Sequence, residues 1–136
     1  MRSLKALALA MLVLPLAAQA GRTVDMNDPV TIHLETKASA AQVKKGVKMA
    51  VLNRQWNISN EKGNEFDATY TRQDRRSSLM AKIHVSHSTK EVTIKYVASE
   101  GLSAEGKQIH PTYNKWMSFL EKDIPIYVER EVTASQ

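Results

Sequence analysis

Between Trp56 and Ala98 the chain places an apolar residue at every second position in four successive runs, and that rhythm confines it to a β-sheet. Trp56 and Ile58 alternate before the turn Glu61-Lys62-Gly63-Asn64; Phe66, Ala68 and Tyr70 alternate before Gln73-Asp74-Arg75-Arg76. Leu79, Ala81, Ile83 and Val85 precede Ser88-Thr89-Lys90, and Val92, Ile94, Tyr96 and Ala98 precede a polar loop at 99–108. Connections this short join antiparallel neighbours, so the simplest arrangement is a meander. Side chains of a strand point alternately to its two faces, which makes one sheet face apolar and in need of cover. The other face carries Asp67, Thr69, Lys82, His84, Thr93 and Lys95 and suits water, with Met80 and Val97 as a small apolar interruption.

Helices supply the cover. Val30, Ile32 and Leu34 alternate as a first strand, and Ala40, Val43, Val47, Ala50 and Val51 then fall at helical spacing behind Ser39 as N-cap. Lys44, Lys45 and Lys48 face out, while Gly46 weakens this helix by about 1 kcal/mol relative to Ala and would permit close approach to the sheet. A second helix starts near Pro111, with Tyr113, Trp116, Leu120 and Ile124 on one stripe. Pro125 is expected to kink or end it, leaving residues 131–136 as a tail. The order β-α-β-β-β-β-α implies a two-layer α+β domain over 30–130, an antiparallel sheet of about five strands with two helices on one face. Neither a repeat nor a second domain is visible.

The start of the chain sets the compartment. Arg2 and Lys5 precede thirteen uncharged residues at 6–18, and Ala18-Gln19-Ala20 closes the segment. These are the three parts of a secretory signal, with cleavage expected after Ala20 and residues 21–29 as a loose lead-in. A membrane span would need roughly 20 apolar residues, and this run is shorter and contains Pro15. Of 19 basic residues two leave with the signal, so 17 face 14 acidic ones in the mature chain. That excess of three is spread out; only Arg72, Arg75 and Arg76 cluster, around Asp74, as a solvated turn would. The expectation is a soluble, monomeric periplasmic protein with no nucleic-acid partner and no stable membrane insertion. With no cysteine, neither a disulfide nor thiol chemistry is available, and the core must carry stability alone.

The stretch 92–124 is the most distinctive. It reads EVTIKYVASEGL, a polar loop, then KQIHPTYNKWMSFLEKDI. This resembles a family of small exported bacterial proteins, many of them lipoproteins, in which a strand ending Y-x-x-S is followed by a loop and an I-H-x-x-Y-N-x-W-x-x-x-L-x-x-D-I helix. The matching residues are Tyr96, Ser99, Leu102, Ile109, His110, Tyr113, Asn114, Trp116, Leu120, Asp123 and Ile124. The resemblance covers most of the mature chain and implies fold and compartment, but no activity. The chain departs from the family in lacking the cysteine that would accept a lipid.

Chemistry is sparse. His84 and His87 invite a metal, yet residues three apart on a strand point to opposite faces, and no cysteine or tight acidic cluster joins them. Neither a Gly-x-Ser-x-Gly elbow nor a glycine-rich phosphate loop is present. Glu61 and Glu65 sit beside a turn, where solvation explains them. No cofactor and no catalytic set is expected. The best candidate binding residues are His110, Tyr113, Asn114 and Trp116, with Tyr96 and Ser99 beside them, because Tyr and Trp join large contact areas to a polar tip. The competing structural reading makes Tyr113 and Trp116 core anchors and His110 or Asn114 a fastening for the loop. The sequence thus favours a non-enzymatic module binding an envelope component or protein partner, over a small envelope-directed enzyme with His110 as acid or base.

Overall fold

A computed structural model of the chain describes residues 22–73 and 75–136; the signal segment and its cleavage point lie outside the described residues. Two short strands, β1 (Val24–Asp25) and β2 (Val30–His33), lead into helix α1 (Ala40–Asn53). Then come β3 (Asn57–Lys62), β4 (Glu65–Gln73), β5 (Ser78–His87) and β6 (Glu91–Glu100), a short β7 (Gln108–Ile109) and helix α2 (Pro111–Ala134). The domain is α+β in two layers. The main sheet is antiparallel throughout, in the order β2-β6-β5-β4-β3, so the first of its strands closes against the last of the meander. Both helices cover the face that holds Val30, Ile32, Phe66, Ala68, Ala81, Ile83, Val85, Val92 and Ile94, all buried.

Local chemistry explains the boundaries. Ser39 Oγ accepts from the Gln42 backbone N–H at 3.1 Å while Gln42 Oε1 accepts from the Ser39 N–H at 2.8 Å, a capping box that starts α1. At its other end Gln55 N–H donates to the Leu52 carbonyl and Trp56 N–H to that of Val51, the paired bonds of a Schellman stop. That stop puts Gln55 at φ +70°, in the region that glycine usually supplies. The β3–β4 hairpin turns on Gly63 at φ +60°, the first central residue of a two-residue turn. Ser88 Oγ accepts from Lys90 and Glu91 N–H groups at 3.2 Å and holds the β5–β6 turn.

Four expectations are corrected. The register of β6 against β5 slips between Lys82 and Ile83, leaving Val97 as the extra residue of a bulge. Ala98 therefore pairs with outward-facing Lys82, and Ser99, opposite Ala81, takes the inward place. The apolar interruption at Val97, 47% exposed, is that bulge. Pro125 does not end α2, which continues to Ala134, so no tail begins at 131. Proline removes only the donor that would meet the Glu121 carbonyl, and Glu121 is exposed, where water can serve. The lead-in is tied down: β1 pairs with β7, and Asp28 Oδ1 accepts from the Tyr96 N–H at 2.8 Å beside the bulge. Finally, Gly46 meets the second helix rather than the sheet.

A Cβ built on Gly46 would lie 2.6 Å from Val128 Cα and 2.8 Å from Val128 N, so the two helix backbones cross where only hydrogen fits. Replacing it by Ala gains about 1 kcal/mol of helix propensity and incurs an overpacking cost of about 1–3 kcal/mol or more. Because the clashing atoms are backbone, the second effect wins. Gly46→Ala is expected to lower the urea midpoint; an unchanged or raised midpoint would show that the helices separate freely.

Candidate functional site

The six residues singled out from the sequence fall into two groups. Tyr113 is fully buried, packed edge-on against Tyr96 with ring centroids 5.6 Å apart, and the Tyr96 hydroxyl lies 2.8 Å from Ser99 Oγ. Burial pushes the Tyr113 hydroxyl well above the ordinary phenol range, with Asp28 adding to it. The bulge at Val97 is what turns Ser99 inward to meet Tyr96, two strand positions that strict alternation would put on opposite faces. Asn114 clasps the lead-in: its Nδ2 donates to the Asp25 carbonyl at 2.9 Å and its Oδ1 accepts from the Asn27 N–H at 2.9 Å. His110 caps α2, its Nδ1 accepting from the Thr112 N–H at 3.1 Å, while its own N–H donates to the Leu102 carbonyl at 2.8 Å. The ring nitrogen that faces the helix is thus committed to the cap. These five residues fasten the fold together.

Trp116 belongs to the other group. It packs edge-on to Tyr70 at 4.8 Å and to Trp56 at 6.4 Å, and Trp56 lies 5.4 Å from Tyr70. This trio floors a cleft of about 560 Å³ bounded by the α1–β3 turn, β4 and the start of α2. Around the rim stand Arg54, Arg72 and Lys115, with Asn53, Gln55 and Thr112 between them; no carboxylate among the described residues lines it. Arg54 is anchored from behind: its Nε donates to Asp123 Oδ2 at 2.7 Å and its guanidinium lies over the Phe119 ring, 4.3 Å from the centroid. Arg72 and Lys115 are exposed and form no ion pair among the described residues. His110 does not line the cleft. Sequence reasoning reached Trp116 but missed Arg54, Tyr70, Arg72 and Lys115, which come from three elements far apart in the chain. No local sequence signal marks them, since the left-handed conformation of Gln55 beside them is visible only in the fold.

The two histidines point to opposite faces. His87 is inward, 6.3 Å from the Phe66 ring, its Nε2 buried without a partner among the described residues, and burial holds it below the usual imidazole range, helped by Lys44. His84 is on the open face between two carboxylates, Nδ1 2.7 Å from Asp67 Oδ1 and Nε2 2.8 Å from Glu65 Oε1. Among the described residues no group of three or more His, Asp or Glu is arranged to hold a metal ion.

No protein-family model and no curated protein matches the chain. Among solved structures it is similar to the vertebrate conserved region of human METTL16, at 12% identity over 74% of this chain and 97% of that one, with a TM-score of 0.43. No described helix is long and apolar enough to cross a membrane.

The His84 bonds, first to Asp67 and then to Glu65, favour the imidazolium and raise its pKa in the folded state. A raised folded pKa contributes stability that is complete below the unfolded value of about 6.5 and fades as pH rises through the folded value. His84→Gln is therefore expected to destabilise the protein more at pH 5.5 than at pH 8.5 in urea unfolding. A difference independent of pH would contradict the imidazolium assignment.

Proposed function

We propose that this is an exported, non-enzymatic binding module of the bacterial envelope, which holds an envelope component or protein partner in the cleft floored by Trp56, Tyr70 and Trp116. The observation that carries the reading is the composition of that cleft: three cations on the rim, no carboxylate among the described residues, and an aromatic floor. Its volume lies in the range of small-ligand sites, about 300–1,000 Å³. Cations aligned without acids leave a local field that attracts anions, and low-dielectric walls strengthen it. Two of the three are not engaged by any described acid, so an arriving anion competes with water rather than with a protein carboxylate.

Export and a periplasmic location rest on the leader at 1–20, and the lack of a cysteine for lipid attachment supports a soluble, monomeric state. The likeness to small exported bacterial proteins points the same way. The motif that carries the likeness is structural here: Ile109, Leu120 and Ile124 are core, Asp123 anchors Arg54, and His110 and Asn114 fasten loops. These residues build the scaffold that presents the cleft. Away from the cleft the lysines of α1 are paired with acids, Lys44 and Lys48 with Glu61 and Lys45 with Glu131, which disfavours a nucleic acid.

The test uses the protein recovered from the periplasm of an exporting host, immobilised, and exposed to a solubilised envelope fraction. A single charge-assisted bond is worth about 1.5–3 kcal/mol, so loss of both cations in Arg72→Gln with Lys115→Gln is expected to cut retention of envelope material at least tenfold. The open-face variant His84→Gln should retain it unchanged. Equal retention by the cleft variant and the native protein would contradict the reading.

A further inference from the structure

Three features of the cleft narrow its occupant, on the premise that the chain is a binding module and that this cleft is its site. The first is the state of the aromatic floor. Trp56 and Trp116 are 3% and 6% exposed, their faces and edges already used on one another and on Tyr70. The partly open rings are Tyr70 and Phe119, and the Phe119 ring is already covered by the Arg54 guanidinium, so flat stacking of several bases, as a run of nucleobases needs, is not on offer.

The second is the state of the backbone. The N–H groups of Arg54, Gln55 and Trp56 all donate into the last turn of α1, to Val51, Leu52 and Val51. The turn itself therefore presents no free N–H row, and the strand edge beside it is short: β3 pairs with β4 only as far as Thr69, which leaves Tyr70–Gln73 for a peptide main chain to extend. Most of the polar groups offered are side chains: amides at Asn53 and Gln55, a hydroxyl at Thr112, and the cations. Amides and hydroxyls both donate and accept, which suits a neutral polyhydroxylated body, and guanidinium and ammonium groups suit an oxyanion attached to it.

The third is Gln55 itself. The Schellman stop needs its left-handed conformation, at φ +70°, and glycine adopts that region without the steric cost a Cβ brings. The side chain has no hydrogen bond within the described fold that would offset this, and it stands on the cleft rim. Strain of this kind that persists in a binding site points to a side chain retained for the ligand.

We infer that the cleft binds an acidic saccharide, its carboxylate or phosphate held between Arg72 and Lys115 and its hydroxyls by Gln55, Asn53 and Thr112. The shared chemistry is a sugar ring bearing one oxyanion. Glucuronate and glucose 6-phosphate present it in its two forms, with glucose and inorganic phosphate as the separated halves.

Titration calorimetry of the purified protein with these four compounds tests the assignment. Glucuronate or glucose 6-phosphate is expected to bind at least tenfold more tightly than either glucose or inorganic phosphate, and the preferred one identifies the oxyanion. Arg72→Gln should weaken that binding about tenfold to a hundredfold, the size of one charge-assisted hydrogen bond. Gln55→Gly separates function from folding: it should raise the thermal midpoint while weakening the sugar acid. Phosphate binding as well as the sugar phosphate, or a Gln55→Gly variant of undiminished affinity, would overturn the saccharide assignment. Absence of sugar binding alongside cleft-dependent retention of envelope material would overturn it too, and leave the binding module standing. If retention also ignores the cleft variants, both readings fall.

Discussion

Three aromatic rings hold together the elements on which the rest of the molecule depends. Trp56 begins the meander just after α1, Tyr70 sits on β4 and Trp116 on α2, and their centroids lie 4.8–6.4 Å apart. Each such pair is worth about 0.5–1.5 kcal/mol beyond the area it buries. The geometric consequence is larger than that figure. Because these rings fix the α1–β3 turn, the sheet and the second helix against one another, the rim groups Arg54, Arg72 and Lys115 converge without any direct bond between them. Behind them the Gly46–Val128 contact sets how near the two helices lie, and Asp123 pins Arg54 to the same helix that carries Trp116 and Lys115.

Much of the fold was legible because each element announces itself locally. Period-two alternation marks the four meander strands, Ser39 marks the start of α1, and Gly63 and Ser88 mark turns whose chemistry is contained in three or four residues. What misled was also local reasoning. Strict alternation put Ala98 inside, but one extra residue at Val97 shifts everything after it, and a bulge leaves no mark when the bulged residue is itself apolar. Pro125 signals a break in an isolated helix; in α2, packing of Leu120, Ile124 and Val128 on either side carries the helix across one missing hydrogen bond. The lead-in looked loose because its restraints, Asn114, Gln108 and the Tyr96 N–H, lie some seventy to ninety positions away.

The candidate site shows the same division. The conspicuous motif from Ile109 to Ile124 suggested a surface, and most of its conspicuous residues turn out to be fastenings, since a buried tyrosine, a capping histidine and a clasping asparagine are as distinctive in sequence as a binding set. Trp116 alone was both noticed and well placed. The remaining cleft groups are single, ordinary residues on three elements, and an arginine on a strand carries no sign of what it will face. Strand order decides that. Only with β4 next to the edge strand β3, and α2 crossing above it, do Arg72 and Lys115 stand across the same opening.

The central claim, that the functional surface is this cleft and not the open sheet face or the lead-in, is tested most directly by mapping shifts in the nuclear magnetic resonance spectrum of the labelled protein as solubilised envelope material is added. The account predicts that the indole signals of Trp56 and Trp116 and the side-chain signals of Arg54, Arg72 and Gln55 move together, while those of His84, Lys95 and Asn114 stay in place. Shifts centred on His84 and its neighbours, with the two indoles unmoved, would contradict it.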